Sequence, residues 1–169
     1  TYFLDVNGIP IDDLMIYRLE KEHFLAVVNA SNNDKNWAWL KAVKGRDVMI
    51  DPNAPGRSAS GAESCIMRDL RIPSVGKDMR LDIAIQGPQS RAILLALGGL
   101  DEDKHAVERL PWAGVTRAHL GGFDLIISRT GYTGERIAFE LFVHPNRAKE
   151  LFQRLVELGA TPCGLASRD

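Results

Sequence analysis

The chain has 169 residues, 45% of them hydrophobic and 25% charged, which is enough to bury a substantial core in a folded globular protein. Its 21 Lys and Arg balance 22 Asp and Glu, and a formal net charge of -1 gives no long-range field that would favour nucleic acid or an acidic membrane as a partner. Cys65 and Cys163 match no metal-ligand or redox spacing, so we expect buried thiols in a reducing compartment and no metal site.

The ends of the sequence and its apolar segments bear on location. No apolar run approaches the roughly 20 residues that a membrane-spanning helix needs, and the N-terminus lacks the pattern of a secretory signal. These features predict a soluble protein without a membrane partner, in the cytoplasm or an organelle matrix. The chain opens at Thr1 without a methionine and closes at Asp169 where a helical pattern would begin, so we expect a fragment of a longer protein.

The first half of the sequence predicts a hairpin, a helix and a long loop. Polar residues at 31–33 offer N-caps for a helix over 34–43, which Gly45 ends. The segment 51–61 is dense in Pro, Gly, Ser and Asn and is predicted to be a loop. Runs rich in apolar residues predict strands at 12–19, 24–29, 46–50, 63–70 and 79–86.

The second half predicts helices alternating with the strands of an antiparallel sheet. A strand follows Pro111 and turns at Gly121-Gly122 into the next strand. The later strands are predicted at 123–128, 137–143 and 160–163. Apolar residues at helical spacing predict helices from 89 to the Gly98-Gly99 pair, over 102–110 and over 147–158. The pattern therefore predicts an α+β fold with helices packed on one side of a mainly antiparallel sheet.

Two adjacent acids, Asp12 and Asp13, begin the first predicted strand. Adjacent strand residues point to opposite faces, so at most one of these carboxylates is expected to face a given pocket. The alternative is that both are solvated turn acids, because Asp side chains are mostly exposed.

A glycine-rich loop, RTGYTGE at 129–135, places Tyr132 between two glycines. Such a loop can pass close to a flat ligand, and the tyrosine ring can stack on it or donate a hydrogen bond. A phosphate-binding loop is a weaker interpretation, because the spacing is not that of a Walker loop and no strand–loop–helix context follows. A plain tight loop explains the glycines equally well.

Two charged residues further along could also carry chemistry. Glu140 lies between Phe139 and Leu141 on a predicted strand, where a carboxylate must either reach a rim or find hydrogen-bond donors. The alternative for Glu140 is that it points outward, since strand faces alternate. Arg168 follows a predicted strand-to-helix turn, and an ordinary surface ion pair is the alternative there.

Six segments of the sequence resemble the folate-binding domain of the aminomethyltransferase family, to which the T-protein of the glycine cleavage system belongs. They occur in the family's order across nearly the whole chain, and the glycine–tyrosine loop together with the IDDL strand is the most specific part. The six are IDDLMIY at 11–17, LAVVNAS at 25–31, AIQGPQS at 84–90, SRTGYTGE at 128–135, FELFV at 139–143 and PCGLASRD at 162–169.

The resemblance implies an enzyme that transfers a one-carbon unit to tetrahydrofolate. The donor would be an aminomethyl group on the lipoyl arm of a carrier protein, the H-protein, and the products would be methylene-tetrahydrofolate, ammonia and the dihydrolipoyl protein. The implied location is the cytoplasm, or the mitochondrial matrix in a eukaryote. The implied fold has two intertwined folate-binding subdomains, at 1–88 without its N-terminal part and at 89–169 before a missing C-terminal domain.

The resemblance also implies roles for individual residues. Asp13 would be the catalytic aspartate, which holds the folate near its reactive nitrogens and stabilises the positive charge that develops there, while Asp12 faces elsewhere. Glu140 would accept two hydrogen bonds from the amino-pyrimidinone edge of the pterin. The other folate-binding residues would be Asn29, the backbone near Asn32, Tyr132 and Arg168.

One departure from the family concerns Glu140. The family usually has EDGFE after the loop, whereas residues 135–140 are ERIAFE, one residue longer and without the glycine. An extra residue would turn Glu140 to the other face of the strand unless a bulge absorbs it. The segment 57–61 also matches nothing in the family.

Other functions are compatible with the same resemblance. One is a folate-dependent demethylase, or the folate domain of a sarcosine or dimethylglycine oxidase. Another is a non-catalytic folate-binding protein, which would need the pterin contacts more than it needs Asp13. The last is an unrelated antiparallel α+β domain with an interaction role.

Overall fold

The computed structural model describes residues 1–55 and 65–167, and by its contacts the chain divides into two compact units, Thr1–Asp69 and Leu70–Asp169. The sequence placed a subdomain division at 88 instead. The strand at 81–86, which ends just before residue 88, pairs with the strand at 138–143. Its contacts therefore assign it to the second unit. The location of subdomains in the complete protein stays a prediction.

Among its described residues, 1–55 and 65–69, the first unit contains a three-stranded antiparallel sheet in the order β1-β2-β3 and one α-helix. The strands are β1 (Tyr2–Leu4), β2 (Pro10–Glu20) and β3 (His23–Val28), and the helix is α1 (Asn33–Gly45), preceded by a short 3-10 helix at Ala30–Asn32. The predicted hairpin and helix are confirmed. The strand β1 was not predicted, because three residues are too short a run to show a periodic pattern.

The long strand β2 changes its partner along its length. Asp12 and Asp13 pair with β1, and from Leu14 onward the residues pair with β3. Leu14 and Tyr17 are both buried, at 5% and 2% exposed, although residues three apart on a strand point to opposite faces. The two acids therefore lie where β2 passes from one neighbour to the other.

The predicted strand at 46–50 is wrong. Arg46 adopts a left-handed conformation with φ 64°, and its N–H bonds back to the carbonyls of Ala42 and Val43 to end α1. The apolar side chains that follow, Met49 and Ile50, are 55% and 39% exposed. A short apolar run does not form a strand where the backbone is used to end a helix and no neighbouring strand pairs with it.

The second unit contains a four-stranded antiparallel sheet in the order β4-β7-β6-β5 and three α-helices. The strands are β4 (Leu81–Gln86), β5 (Val115–Leu120), β6 (Phe123–Ser128) and β7 (Ala138–Val143), and the helices are α2 (Ser90–Ala96), α3 (Asp101–Glu108) and α4 (Pro145–Glu157). Short 3-10 helices lie at Pro73–Asp78 and Leu165–Ser167. The α+β prediction is confirmed.

The two faces of this sheet differ in what packs on them. One face forms the core with α2, α3 and α4, and its members include Ile85, Phe139, Leu141, Leu125, Ile127, Ile93, Leu94, Val107, Leu151 and Leu155. Side chains alternate along each strand, so the other face carries the residues between these. We call it the Glu140 face, and its members on β4, β7 and β6 are Asp82, Ala84, Gln86, Ala138, Glu140, Phe142, Asp124, Ile126 and Ser128.

Three further expectations are corrected. Within the described part of the predicted strand at 63–70, residues 65–70 form no strand, and residues 160–163 form none either. At 160–163 the chain leaves α4 through Gly159, with φ 107°, and then meets Pro162, which has no N–H to donate to a sheet. Cys65 and Cys163 were expected to be buried, but both thiols are free and exposed.

Candidate functional site

The first candidate site surrounds Asp12 in the first unit, and we call it the amide cluster: Asp12, Asp13, Asn29, Asn32 and Asn36. Asp12 is 8% exposed, whereas its neighbour Asp13 is exposed. The two adjacent acids of β2 thus differ in exposure, although both carboxylates accept from the same Asn29 amide. The interpretation of both residues as solvated turn acids is wrong for Asp12.

The side-chain amide of Asn29 contacts both acids. Its Nδ2 donates to Asp12 Oδ1 at 2.9 Å and to Asp13 Oδ1 at 2.9 Å, and it lies 3.2 Å from the Asp13 carbonyl oxygen. Asn29 directly follows β3, the strand beside this part of β2. The hairpin therefore brings together two acids and an amide that are 16 to 17 residues apart in the chain.

Two more amides hold Asp12 from the helix side. Asn32 Nδ2 donates to Asp12 Oδ1 at 2.9 Å, and Asn36 Nδ2 donates to Asp12 Oδ2 at 2.5 Å. Asn36 is only 1% exposed. Hydrogen bonds from Asn36 and then Asn29 lower the pKa of Asp12 to about 2, so this carboxyl is ionised at neutral pH.

Sequence reasoning missed Asn36. Asn32 immediately precedes α1 and Asn36 lies in its first turn, four residues later. Residues four apart on a helix lie on the same face, so this spacing was the signal that could have paired them.

The second candidate site surrounds Glu140 in the second unit, and we call it the hydroxyl cluster: Glu140, Ser128 and Thr130. These three are 7%, 0% and 5% exposed. Ser128 Oγ donates to Glu140 Oε2 at 3.1 Å, and Thr130 Oγ1 donates to the same oxygen. The two hydroxyls lie 2.8 Å apart. The interpretation of Glu140 as an outward-pointing residue is therefore wrong.

Residues 135–137, which precede the strand of Glu140, lie in a loop. The strand β7 begins only at Ala138, and Glu140 pairs directly with Ser128. Ahead of the strand, Glu135 Oε1 accepts from the N–H of Arg136 at 2.8 Å and of Ile137 at 3.3 Å. The register of β7 places Glu140 on the sheet face with Ser128.

The glycine-rich loop is fixed against β4 and β7. A Cβ at Gly131 would lie 2.7 Å from Ala138 Cβ and 2.8 Å from Gln86 Nε2, so the approach requires a glycine. Thr133 Oγ1 donates to Gln86 Oε1. Between these two attachments, Tyr132 is 70% exposed at the tip of the loop.

A second acid shares the Glu140 face. Ala84 pairs directly with Glu140 across β4 and β7, and Asp82 is two residues before Ala84, which places it diagonally opposite Glu140. Loss of hydration, and then the charge of Glu140, raise the pKa of Asp82 to about 7, although the residue as a whole is exposed. The sequence gave no sign of this neighbour, because strand pairing is non-local.

The remaining features are Arg168, groups of possible metal ligands and helices that could cross a membrane. Arg168 lies outside the described residues. Among residues 1–55 and 65–167, no three or more His, Cys, Asp or Glu side chains are grouped so that they could hold a metal ion. In the same residues, each helix is too short or too polar to cross a bilayer.

Comparison with known proteins gives consistent relatives. The family model described as "GCVT N-terminal domain" matches residues 1–169. An aminomethyltransferase of Herpetosiphon aurantiacus is 34% identical over 164 residues, which is 96% of this chain and 37% of the relative. An aminomethyltransferase of Bacillus subtilis is 33% identical over 167 residues, which is 96% of this chain and 38% of the relative.

A solved structure agrees with these relatives. The crystal structure of glycine cleavage system aminomethyltransferase T from Bartonella henselae matches with a TM-score of 0.65 and 25% identity, covering 99% of this chain and 37% of that one. The chain thus spans less than two fifths of the length of these relatives. Because the family model matches from the first residue to the last, the chain belongs to the GCVT N-terminal domain family.

Proposed function

We propose that the complete protein is a tetrahydrofolate-dependent aminomethyltransferase. It would take a one-carbon unit from an aminomethyl group on the lipoyl arm of a carrier protein and release ammonia. The proposal rests on family membership and, within the chain, on the arrangement at Asp13, whose exposed carboxylate is oriented by the Asn29 amide at 2.9 Å. A reacting molecule can reach such a carboxylate, and the carboxylate is already held in one position.

Asp13 acts by charge in this proposal. When tetrahydrofolate is bound, it supplies the nitrogen that accepts the one-carbon unit. A fixed carboxylate lowers the energy of a transition state in which positive charge develops nearby, because the charge is oriented before the reaction begins. Asn29 keeps Asp13 in that orientation. The role is electrostatic and involves no covalent bond to the enzyme.

Glu140 is proposed to bind the pterin edge. The amino-pyrimidinone edge of a pterin presents adjacent N–H donors, which suit the two oxygens of a carboxylate. The residues present fit this group, since Glu140 is 7% exposed and Ser128 and Thr130 orient one of its oxygens. A carboxylate has about four acceptor positions, so a carboxylate can accept from more than two donors.

The remaining folate contacts are proposed for Tyr132, Asn29 and Arg168. The Tyr132 ring is 70% exposed at the tip of a loop that Gly131 and Thr133 hold in place, and an accessible aromatic ring can stack on a flat ligand. Arg168 is assigned from the sequence resemblance alone. The H-protein as carrier partner and a cytoplasmic location, or the mitochondrial matrix in a eukaryote, belong to the same proposal.

The proposal is tested by supplying the complete protein with tetrahydrofolate and an aminomethylated lipoyl carrier, and by measuring methylene-tetrahydrofolate and ammonia. Asp13→Asn keeps the size of the side chain and removes its charge, so we expect folate affinity to change little and turnover to fall on the order of 100-fold. Glu22→Gln is a matched control, because it removes an exposed charge at the turn of the same hairpin. Equal turnover in the Asp13→Asn variant and its parent would exclude Asp13 from the mechanism.

The same assay separates the other functions. Formation of methyl- or methylene-folate from N-methylated amines, without activity on the lipoyl carrier, would identify a demethylase or the folate domain of an oxidase. Folate binding with no transfer from any donor would identify a non-catalytic binding protein. Both results would overturn the aminomethyltransferase proposal.

A further inference from the structure

Asp12 has no part in the proposed reaction, yet it accepts more side-chain hydrogen bonds than Asp13 in the described structure. Asp12 is 8% exposed and accepts from the amides of Asn29, Asn32 and Asn36. Asp13 is exposed, and its carboxylate accepts from the side-chain amide of Asn29. The two acids are thus joined through one NH2 group, with a firmly held carboxylate on one side and an exposed one on the other.

An ionised carboxylate determines which way an amide must point. A carboxylate only accepts hydrogen bonds, whereas an asparagine side chain has a donor end and an acceptor end. The contact with Asp12 therefore turns the NH2 end of Asn29 toward the acids and its oxygen away from them. Without that contact, rotation of the Asn29 amide would bring its oxygen against the Asp13 carboxylate, where the two acceptors repel.

Asn36 shows that this preference is strong. Its Nδ2 donates to Asp12 Oδ2, while its own Oδ1 is buried and has no hydrogen-bond partner among the described residues. A buried acceptor without a partner is costly. Asn36 nevertheless keeps its NH2 end on Asp12, so the carboxylate outweighs the unpaired oxygen in setting the orientation of the amide.

We propose that Asp12 is a positioning residue, a fixed carboxylate anchor that orients the Asn29 amide and through it the carboxylate of Asp13. The effect of Asp12 on turnover rests on the proposed function. The orientation of Asn29 and Asp13 by Asp12 does not depend on any activity. Asp12 touches no reacting atom in this proposal. Its effect passes through Asn29.

The first test is independent of activity and uses the side-chain amide resonances of the complete protein in NMR. Asp12→Asn should leave the Asn29 NH2 group mobile although Asp13 is intact, whereas Asp13→Asn should leave it ordered because the anchor remains. The asymmetry between the two variants is the expected result. Equal loss of order in both variants, or order retained in Asp12→Asn, would overturn the proposal.

The second test is a double-mutant cycle in the transfer assay. Asp12→Asn should lower kcat on the order of 10- to 100-fold and raise KM for tetrahydrofolate by a smaller factor, because a displaced catalytic group affects the reaction more than binding. In an Asn29→Ala background the same change should have little further effect on kcat. Additive effects in the cycle would mean that Asp12 does not act through Asn29.

A control separates positioning from loss of stability. Leu155→Ala removes a core side chain of α4, 3% exposed, and should lower the melting temperature with kcat unchanged well below it. If Asp12→Asn cannot be produced as a folded protein, Asp12→Glu serves in both tests, because it keeps the charge but displaces it by one methylene and should give a smaller loss of the same kind. If the parent itself transfers no one-carbon unit, the proposed function fails while the NMR test still decides the role of Asp12.

Discussion

The carboxylates of Asp12 in the first unit and Glu140 in the second are similarly inaccessible, at 8% and 7% exposed, but their neighbours differ. Asp12 accepts from three amide NH2 groups, which lower its pKa to about 2. Glu140 accepts from two hydroxyls and has Asp82 as a second acid on its sheet face, and the pKa of Asp82 is raised to about 7. In the amide cluster, hydrogen bonds from the amides stabilise the charge of Asp12. On the Glu140 face, the raised pKa of Asp82 keeps its proton bound to a higher pH, which reduces the negative charge beside Glu140.

The amide cluster should therefore be the more sensitive to loss of a donor. Asn36→Ala removes the hydrogen bond to Asp12 Oδ2 from a residue that is 1% exposed. We expect the free energy of unfolding to fall by about 1.5–3 kcal/mol, the usual contribution of a hydrogen bond to a charged group. The measurement is urea unfolding of the complete protein.

A second asparagine provides the control for that prediction. Asn53 is exposed, and Asn53→Ala should change the free energy of unfolding by less than about 0.5 kcal/mol. A loss in Asn36→Ala no larger than in Asn53→Ala would show that Asp12 is stabilised by solvent rather than by Asn36.

Glu140 should matter more for ligand affinity than for the fold. Glu140→Ala is expected to weaken folate binding by about 1–3 kcal/mol, the penalty for losing a charged hydrogen-bond partner in a buried site. Calorimetric titration of the complete protein with tetrahydrofolate measures this. Glu102→Ala, which removes an exposed acid from α3, is the control. Unchanged affinity in Glu140→Ala would assign the pterin edge to another residue.

The two clusters also differ in how far sequence alone could predict them. Strand alternation was enough to predict different surroundings for Asp12 and Asp13, and the family resemblance assigned Asn29 to the same site, where its amide contacts both acids. Glu140 was left ambiguous, because its direction depends on where an extra residue is accommodated. In the structure Glu140 pairs with Ser128, and it follows a bend in which the Glu135 side chain accepts from the two following backbone N–H groups.

Errors in the predicted fold have a related cause. Apolar runs at 46–50 and 160–163 have strand-like composition, but a strand also needs a neighbour, and local sequence carries no record of that. The same limit hid Ser128, Thr130 and Asp82, which meet Glu140 or share its face only after strands distant in sequence have paired. Helices α2 to α4 depend on local periodicity and were predicted to within about two residues.

The hydroxyl cluster depends on a loop that approaches the sheet closely, whereas the amide cluster depends on a helix. Gly131→Ala would place a Cβ 2.7 Å from that of Ala138, so the loop that carries Thr130 must shift. We expect a loss of about 1 kcal/mol or more in the free energy of unfolding, together with weaker folate binding. Gly164→Ala is the control, since its Cβ would meet nothing within 4 Å. Equal stability of the two variants would show that the loop adapts without cost.

The smallest expected effect is a pH dependence on the Glu140 face. Below about pH 4, near the ordinary pKa of 3.8, Asp82 is protonated in both the folded and the unfolded chain. Between that value and about 7 the unfolded chain releases the proton while the folded chain keeps it, so Asp82 lowers stability progressively as the pH rises. Asp12 has the opposite sign, because its stabilising effect is present above about pH 4 and is lost as the pH falls toward 2.

Asp82→Asn should remove the destabilisation without changing the shape of the side chain. The variant should have a higher melting temperature than its parent at pH 8, and the difference should shrink as the pH is lowered toward 4. The gain is small because Asp82 is exposed, and solvent weakens its interaction with Glu140. A melting-temperature difference that stays constant across this pH range would mean that Asp82 ionises normally. The two clusters would then differ only in the type of donor from which each carboxylate accepts.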